Sequence, residues 1–204
     1  MSKQAKLKVK ISKPERGDRR KIMTMAVKNA EEAVARKLAD TSSQLRLLKE
    51  LSKSFGLKAP PKRIEIYDNS HIQGAYSVGA MVVATPDGFA KSSYRKFNIK
   101  NEGKFAVHDG DDFAMMRQMI YRRFARALKE DPNRKTMSWP DLLVIDGGIG
   151  QINAVYEVLE ELGIDDLTAI GISKGPDRNA GKEQFHMRDK KSFTLRPDNP
   201  VMHY

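Results

Sequence analysis

The 204-residue chain has no cysteine. That excludes disulfides and thiolate metal sites and leaves a reducing, cytoplasmic location as the default. Long apolar runs are missing too: none approaches the roughly 20 residues that a spanning helix needs. The N-terminus, Met1-Ser-Lys-Gln-Ala-Lys-Leu-Lys-Val-Lys10, is basic and lacks the apolar core of a secretory signal. Acidic residues are outnumbered, 26 against 37 Lys and Arg, for a net charge of +11. Such an excess suits a polyanionic partner, although charge alone would answer equally to an anionic membrane surface. No repeat or low-complexity segment occurs. What the chain does have is 40% apolar side chains, enough to bury the core of one good-sized domain with an appendage.

Residues 1–61 read as an N-terminal segment and linker, and residues 62–204 as the main domain. Leu7, Val9 and Ile11 alternate with Lys6, Lys8 and Lys10, the pattern of a short basic strand. After a loop at Pro14-Glu-Arg-Gly-Asp18, Asp18 is placed to cap a helix over 19–54. Ile22, Met25, Ala26, Ala30, Ala33 and Val34 follow helical spacing along it. Asp40-Thr-Ser-Ser43 is a weak point where the helix is expected to break in two. This region reads as a packing helix with a solvated basic face rather than as a DNA-reading helix. Gly56, Pro60 and Pro61 mark the linker.

In the main domain, strands are expected at 63–68, 75–85 and 89–99, joined in part by the turn Pro86-Asp87-Gly88, as an antiparallel meander. A helix over 111–129 opens on Asp111 and Asp112 at its positive end. Met115, Met116, Met119, Ile120, Phe124 and Leu128 form its core face; Arg117, Arg122, Arg123 and Arg126 form the other. The run Leu142 to Ile145 is continuously apolar, which suits a parallel strand buried on both faces. A helix over 150–162, a strand over 168–173, a basic loop over 174–182 and a hairpin of 183–187 with 192–195 complete the chain. The expected class is therefore α/β: a mixed sheet of three antiparallel strands and then parallel strands, flanked by helices. That is the strand order of ribonuclease H-like folds.

Two stretches share a device. Arg63-Ile-Glu-Ile-Tyr-Asp-Asn-Ser-His-Ile-Gln-Gly74 alternates apolar and polar residues, as a strand with one buried face does, and delivers Asp68 at or near its end. Asp141-Leu-Leu-Val-Ile-Asp146-Gly-Gly-Ile-Gly-Gln151 ends its strand in Asp146 before a glycine turn. Neighbouring strands that each finish in an Asp can hold two carboxylates around a hard divalent cation. The plainer reading is that each Asp is a turn former or helix cap.

These residues, with Tyr94-Arg-Lys-Phe-Asn98, Gly110-Asp-Asp-Phe-Ala-Met-Met-Arg117, Ile172-Ser-Lys-Gly175 and Lys13-Pro-Glu-Arg-Gly17, resemble the UvrC family, the nuclease subunit of bacterial excinuclease ABC. The resemblance implies a ribonuclease H-like endonuclease that incises DNA 5′ to a lesion in nucleotide excision repair. It implies Mg²⁺ or Mn²⁺ as cofactor, damaged double-stranded DNA and UvrB as partners, and UvrA upstream. By motif match it makes Asp68, Asp112 and Asp146 the catalytic acids. The family's catalytic histidine falls beyond Tyr204, and His71, His108, His186 and His203 lie outside that motif. The resemblance thus implies a chain that binds metal yet cuts poorly. The family's nuclease module for the 3′ cut, its UvrB-contacting segment and its helix–hairpin–helix repeats have no counterpart here. Ile149 stands where relatives often carry a basic or polar residue.

Asp68 and Asp146 are the expected metal ligands, with Asp112 as a further acid that could equally be a helix cap. Lys174, Arg95, Lys96, Arg122 and Arg123 are candidate DNA-backbone contacts, each with an ordinary surface role as its alternative. Two other functions compete: a non-catalytic DNA- or protein-binding module, and a nucleotide-binding protein using Gly147-Gly-Ile-Gly150 as a phosphate loop. The last lacks a following Lys-Ser or Lys-Thr.

Overall fold

The computed structural model describes residues 13–72, 76–107, 111–175 and 183–203. The expected basic strand over residues 1–13 lies almost wholly outside them, as do residues 176–182 of the basic loop. The first helix, α1 (Gly17–Phe55), is a single 39-residue helix with no break at Asp40-Thr-Ser-Ser43. Ser42 Oγ donates to the Ala39 carbonyl 2.9 Å away, so a residue suited to interrupting a helix turns its hydroxyl back onto the helix backbone.

The chain divides into two compact units, Met1–Ser43 and Gln44–Tyr204. In the first, the helix carries Ile22, Met25, Val27, Val34 and Leu38, all exposed, in place of the packed apolar side that their spacing suggests.

The second unit is built on a seven-stranded mixed sheet. Its strands are β1 (Ile64–Ile72), β2 (Tyr76–Thr85), β3 (Gly88–Phe89), β4 (Arg95–Asn98), β5 (Leu142–Asp146), β6 (Thr168–Ser173) and β7 (Gln184–Met187). The order is β3-β2-β1-β5-β6-β7, with β4 also pairing to β2. β1 is antiparallel to β2 and parallel to β5, β5 is parallel to β6, and β6 is antiparallel to β7. The expected third strand over 89–99 is interrupted: a short 3₁₀ turn at Lys91–Ser93 separates β3 from β4. The expected hairpin reduces to β7 and a single bridge from Phe185 to Phe193.

Helices α2 (Asp112–Glu130) and α3 (Ile149–Glu161) cover one face of the sheet. Met116, Met119, Ile120 and Phe124 of α2 and Ile152, Val155 and Leu159 of α3 meet Tyr67, Val83, Leu143, Ile145 and Ala169 in one core. The absence of a side chain at Gly79 makes room for α2: a Cβ there would stand 2.1 Å from Met119 Sδ. On the other face, Leu48, Leu51 and Phe55 pack with Ile64, Leu142, Ile170 and Phe185.

β1 was expected to have one buried face; both are buried. Ile64 is 2% exposed, and Glu65 and Tyr67 on the opposite face are fully buried. Glu65 tolerates this because its carboxylate is saturated with donors. Arg63 reaches Oε1 at 2.9 and 3.0 Å, Arg123 reaches it at 2.7 Å, and the Tyr67 hydroxyl donates to Oε2 at 2.7 Å. A buried charge met in this way avoids the desolvation cost of an unpaired one.

Candidate active site

The β1–β5 ladder is what brings the two acids together. Its last recorded pair is Tyr67 with Ile145, so Asp68 and Asp146 stand next in line on adjacent parallel strands, about 4.8 Å apart across the ladder. They share the face of Ile64, Ile66, Leu142 and Val144, because alternate residues of a strand point the same way. β1 continues to Ile72 against β2 alone; Asp68 therefore marks the end of the parallel pairing rather than the end of the strand. Beyond this point the chain leaves β1 toward β2 on one side and β5 toward β6 on the other.

Partial burial raises the pKa of Asp68 above the ordinary carboxylate value, and the neighbouring Asp146 raises it further; a hydrogen bond from the Asn69 backbone opposes both. Among the described residues, neither carboxylate forms an ion pair. Two like charges side by side are costly without a cation, and a hard divalent ion with oxygen ligands answers that cost. The donor set therefore fits Mg²⁺ or Mn²⁺ as a two-carboxylate site. Among the described residues no cluster of three or more His, Asp or Glu is arranged to hold a metal.

Asp112, the expected third acid, is the first residue of α2, while Asp111 before it is the cap. Asp111 Oδ1 accepts from Ala114 N at 2.8 Å. The start of α2 is tied to β1 by Asn69 Nδ2, which donates to the Asp112 carbonyl at 2.9 Å. Asp112 is thus brought beside the residue that follows Asp68.

The loop after Asp146 is packed tightly onto β6. Gly147 N donates to the Ile172 carbonyl at 2.9 Å. Gly171 lies beneath it, and a Cβ there would come within 2.7 Å of the Gly147 carbonyl oxygen. Gly148 precedes α3 with no side-chain cap, so the amides of that first turn have no side-chain acceptor from the cap residue.

The basic candidates separate. Lys96 lies in register with Ala80, and Ala80 with Asp68, so the lysine shares the row and face of the acids two strands away. Arg95 is exposed, with its guanidinium on the Ser92 and Tyr94 carbonyls at 3.3 and 2.8 Å. Arg122 donates to the Asn98 carbonyl at 2.7 Å and lies over the Phe97 ring. Lys174 is exposed just past β6. Arg123 departs from its expected place on a solvated face: its side chain is 13% exposed, held by Glu65 and by the Ser138 carbonyl at 2.6 Å. Helical periodicity could not show this, because the buried partner lies on β1.

An apolar recess of about 570 Å³, lined in part by Leu51, Phe55, Ile66, Val144, Ile172 and Val201, adjoins the acids on the same face. Its lining suits packing rather than phosphate. Also beyond the reach of sequence spacing is a hydrogen-bonded line of Ser173, His186 and Ser192 beside α3. The β6–β7 ladder and the Phe185–Phe193 bridge make them neighbours.

Comparison with known proteins places the chain. The family described as "UvrC RNAse H endonuclease domain" matches residues 52–204, and that described as "UvrC Ribonuclease H-like domain" matches residues 1–37. UvrABC system protein C of Sphingopyxis alaskensis is 56% identical over 97% of this chain and 30% of its own length. That of Cereibacter sphaeroides is 52% identical over 100% of this chain and 32% of its own. The chain thus spans about a third of these relatives. A solved structure of Ciona intestinalis endonuclease V with inosine-containing DNA aligns at TM-score 0.39 and 17% identity, over 71% of this chain and 58% of the other, a likeness too slight to bear weight. The family matches and the identity along the whole chain show that it belongs to the UvrC family, within its ribonuclease H-like endonuclease region.

Proposed function

We propose that this chain is a divalent-metal-dependent DNA endonuclease region of an excision-repair nuclease, and that it incises damaged double-stranded DNA 5′ to the lesion by phosphodiester hydrolysis. The observation that carries the reading is the pair Asp68 and Asp146, adjacent on parallel strands and electrostatically opposed. Asp68, flanked by β2 and β5, is the central ligand; Asp146 is the second; Asp112 is the further acid at the mouth of α2. Mg²⁺ or Mn²⁺, held there, supplies charge neutralisation at the phosphate and a water of lowered pKa.

The chain's own residues do the rest. The backbone that carries the two carboxylates is fixed by strand pairing, so the ligands for the ion are held ready without large reorganisation. Lys96, in the row of the acids, and Lys174, past β6, are placed to neutralise flanking phosphates, with Arg95 and Arg122 further along β4 and α2. Contacts of this kind are indifferent to base sequence, which suits lesions of varied structure. UvrB is the proposed protein partner, with UvrA acting upstream, and the proposed location is cytoplasmic.

That no three such residues are clustered to hold a metal among the described residues favours a second reading, a DNA-binding region that does not cut. Thermal unfolding with and without Mn²⁺ separates the two. The nuclease reading expects Mn²⁺ to stabilise the wild type, by about 2.7 kcal/mol at a hundredfold excess over Kd, and Asp68→Ala to abolish that gain. Equal melting temperatures with and without Mn²⁺ would leave only the binding reading.

A further inference from the structure

The face of the sheet that each basic candidate occupies follows from its neighbours in the strand, because side chains alternate. In β4, Phe97 is buried in the core under α2 and α3, so Lys96, exposed beside it, projects from the opposite face. In β6, Gly171 faces α3: a Cβ on it would stand 2.9 Å from Ile152 Cγ1. Ser173 shares that side and meets His186 Nε2 at 2.7 Å. Ile172, between Gly171 and Ser173, lines the apolar recess on the face of the acids. Lys174, exposed and next after Ser173, falls on the face of Ile172. Both lysines therefore stand on the face that carries Asp68 and Asp146.

They stand on opposite sides of the acids. Lys96 is in register with Ala80 and Ala80 with Asp68, while Asp146 is in register with Ile172. From β4 to β6 the row runs Lys96, Ala80, Asp68, Asp146, Ile172, at about 4.8 Å per strand. Lys174 lies two residues past Ile172. Ala80 is exposed and offers only a methyl group, so it raises no wall between Lys96 and Asp68. The four-carbon stem of a lysine spans much of that two-strand gap. A phosphate held at the acids by the ion, and carried on an extended polyanion, thus meets an ammonium group on either flank.

We propose that the cut DNA strand lies across the sheet, over Ala80, with Lys96 and Lys174 bound to phosphates on opposite sides of the one held at Asp68 and Asp146. The proposal deepens the nuclease reading and rests on it: the two lysines set the direction in which the strand crosses the site.

Two measurements test it. Fluorescence anisotropy of a labelled, lesion-bearing duplex across a salt series, in EDTA, counts the phosphates. Lys96→Ala and Lys174→Ala are each expected to reduce the slope of log K against log salt by about one, and the double variant by about two. Arg126→Ala, on the exposed side of α2 and paired with Glu130, is expected to leave it unchanged. A double variant that loses no more slope than either single one overturns the proposal, since both lysines then meet one phosphate. Ala80→Leu is expected to bind about tenfold more weakly with its melting temperature unchanged, and wild-type affinity in that variant overturns the path over β2. The second measurement maps the strand. Because the chain has no cysteine, Lys96→Cys and Lys174→Cys each give a single thiol for a photo-crosslinker. Crosslinks are expected on one strand, on opposite sides of the nick that the same duplex receives with Mn²⁺. Crosslinks on the same side, on different strands or scattered overturn the proposal and leave the nuclease reading, which the nick scores by itself. Crosslinks at two separated positions of one strand, with no nick, overturn the nuclease reading and leave the path. A wild type that binds no duplex at any salt overturns both.

Discussion

Asp68 concentrates the chemistry at the scale of the single residue. Its pKa is raised first by burial and then by Asp146, so the folded state favours its protonated form. In the metal-free protein this group contributes stability that is present below its unfolded pKa and lost as pH rises through the raised folded value. Metal binding has the opposite sign, since the ion requires the carboxylate. Mn²⁺ affinity is therefore expected to weaken on acidification at a higher pH than an ordinary aspartate would give. Asp146→Asn should lower the Asp68 midpoint, followed by carboxyl ¹³C chemical shift, while leaving the part due to burial. An unchanged midpoint would mean that the two side chains do not face each other. Asp146 was legible in the sequence because it ends a continuously apolar strand run, and Asp68 because it follows an alternating one. Arg123 was misplaced there because its partner Glu65 sits in a segment that reads as simple alternation.

At the scale of the element, two contacts hold the site-bearing strands in position. Glu65 on β1 bonds to Arg123 on α2, and Asn69 ties β1 to the first residue of α2. Glu65→Ala would leave two arginines facing an empty, buried site. The expected loss is about 3–5 kcal/mol in urea unfolding, and a loss under about 1 kcal/mol would show that the cluster is spectator. A third contact, on the β5 side, is the close approach of the Gly147 loop to β6. Gly171→Ala places a methyl 2.7 Å from the Gly147 carbonyl, an overlap with backbone that a rotamer change cannot relieve. It should destabilise the fold by about 1–3 kcal/mol and shift the amide resonances of residues 146–148, since the loop must move. Hydrophobic periodicity predicted α2, α3, β5 and β6 because each buries an apolar face of regular spacing. It did not predict the 3₁₀ turn at Lys91–Ser93 that divides the third strand, nor the unbroken α1, since in both the backbone hydrogen bonding decided against composition.

At the scale of the whole molecule, the sheet order brings scattered acids together as a candidate site. Antiparallel β2 on one side of β1 and parallel β5 on the other leave Asp68 and Asp146 side by side where the parallel pairing ends. On the proposed reading, the net charge of +11 makes DNA affinity strongly salt-dependent. Lys96→Ala and Arg95→Ala should each flatten the dependence of log K on log salt by about one unit. Arg123→Lys should leave it unchanged, because the charge at that position is already committed to Glu65. A full unit lost in Arg123→Lys would return that residue to the DNA surface. Strand order follows from the sequence pattern; the division of basic residues between surface and core does not, because it depends on which side chains the packing buries.

The most direct test of the shared ion is a crystal of the protein soaked in Mn²⁺, with anomalous density mapped at the manganese edge. A peak between the carboxylates of Asp68 and Asp146, within about 2.0–2.3 Å of an oxygen from each, is the predicted result. A peak held by other residues, or none at these two at saturating Mn²⁺, would contradict the account.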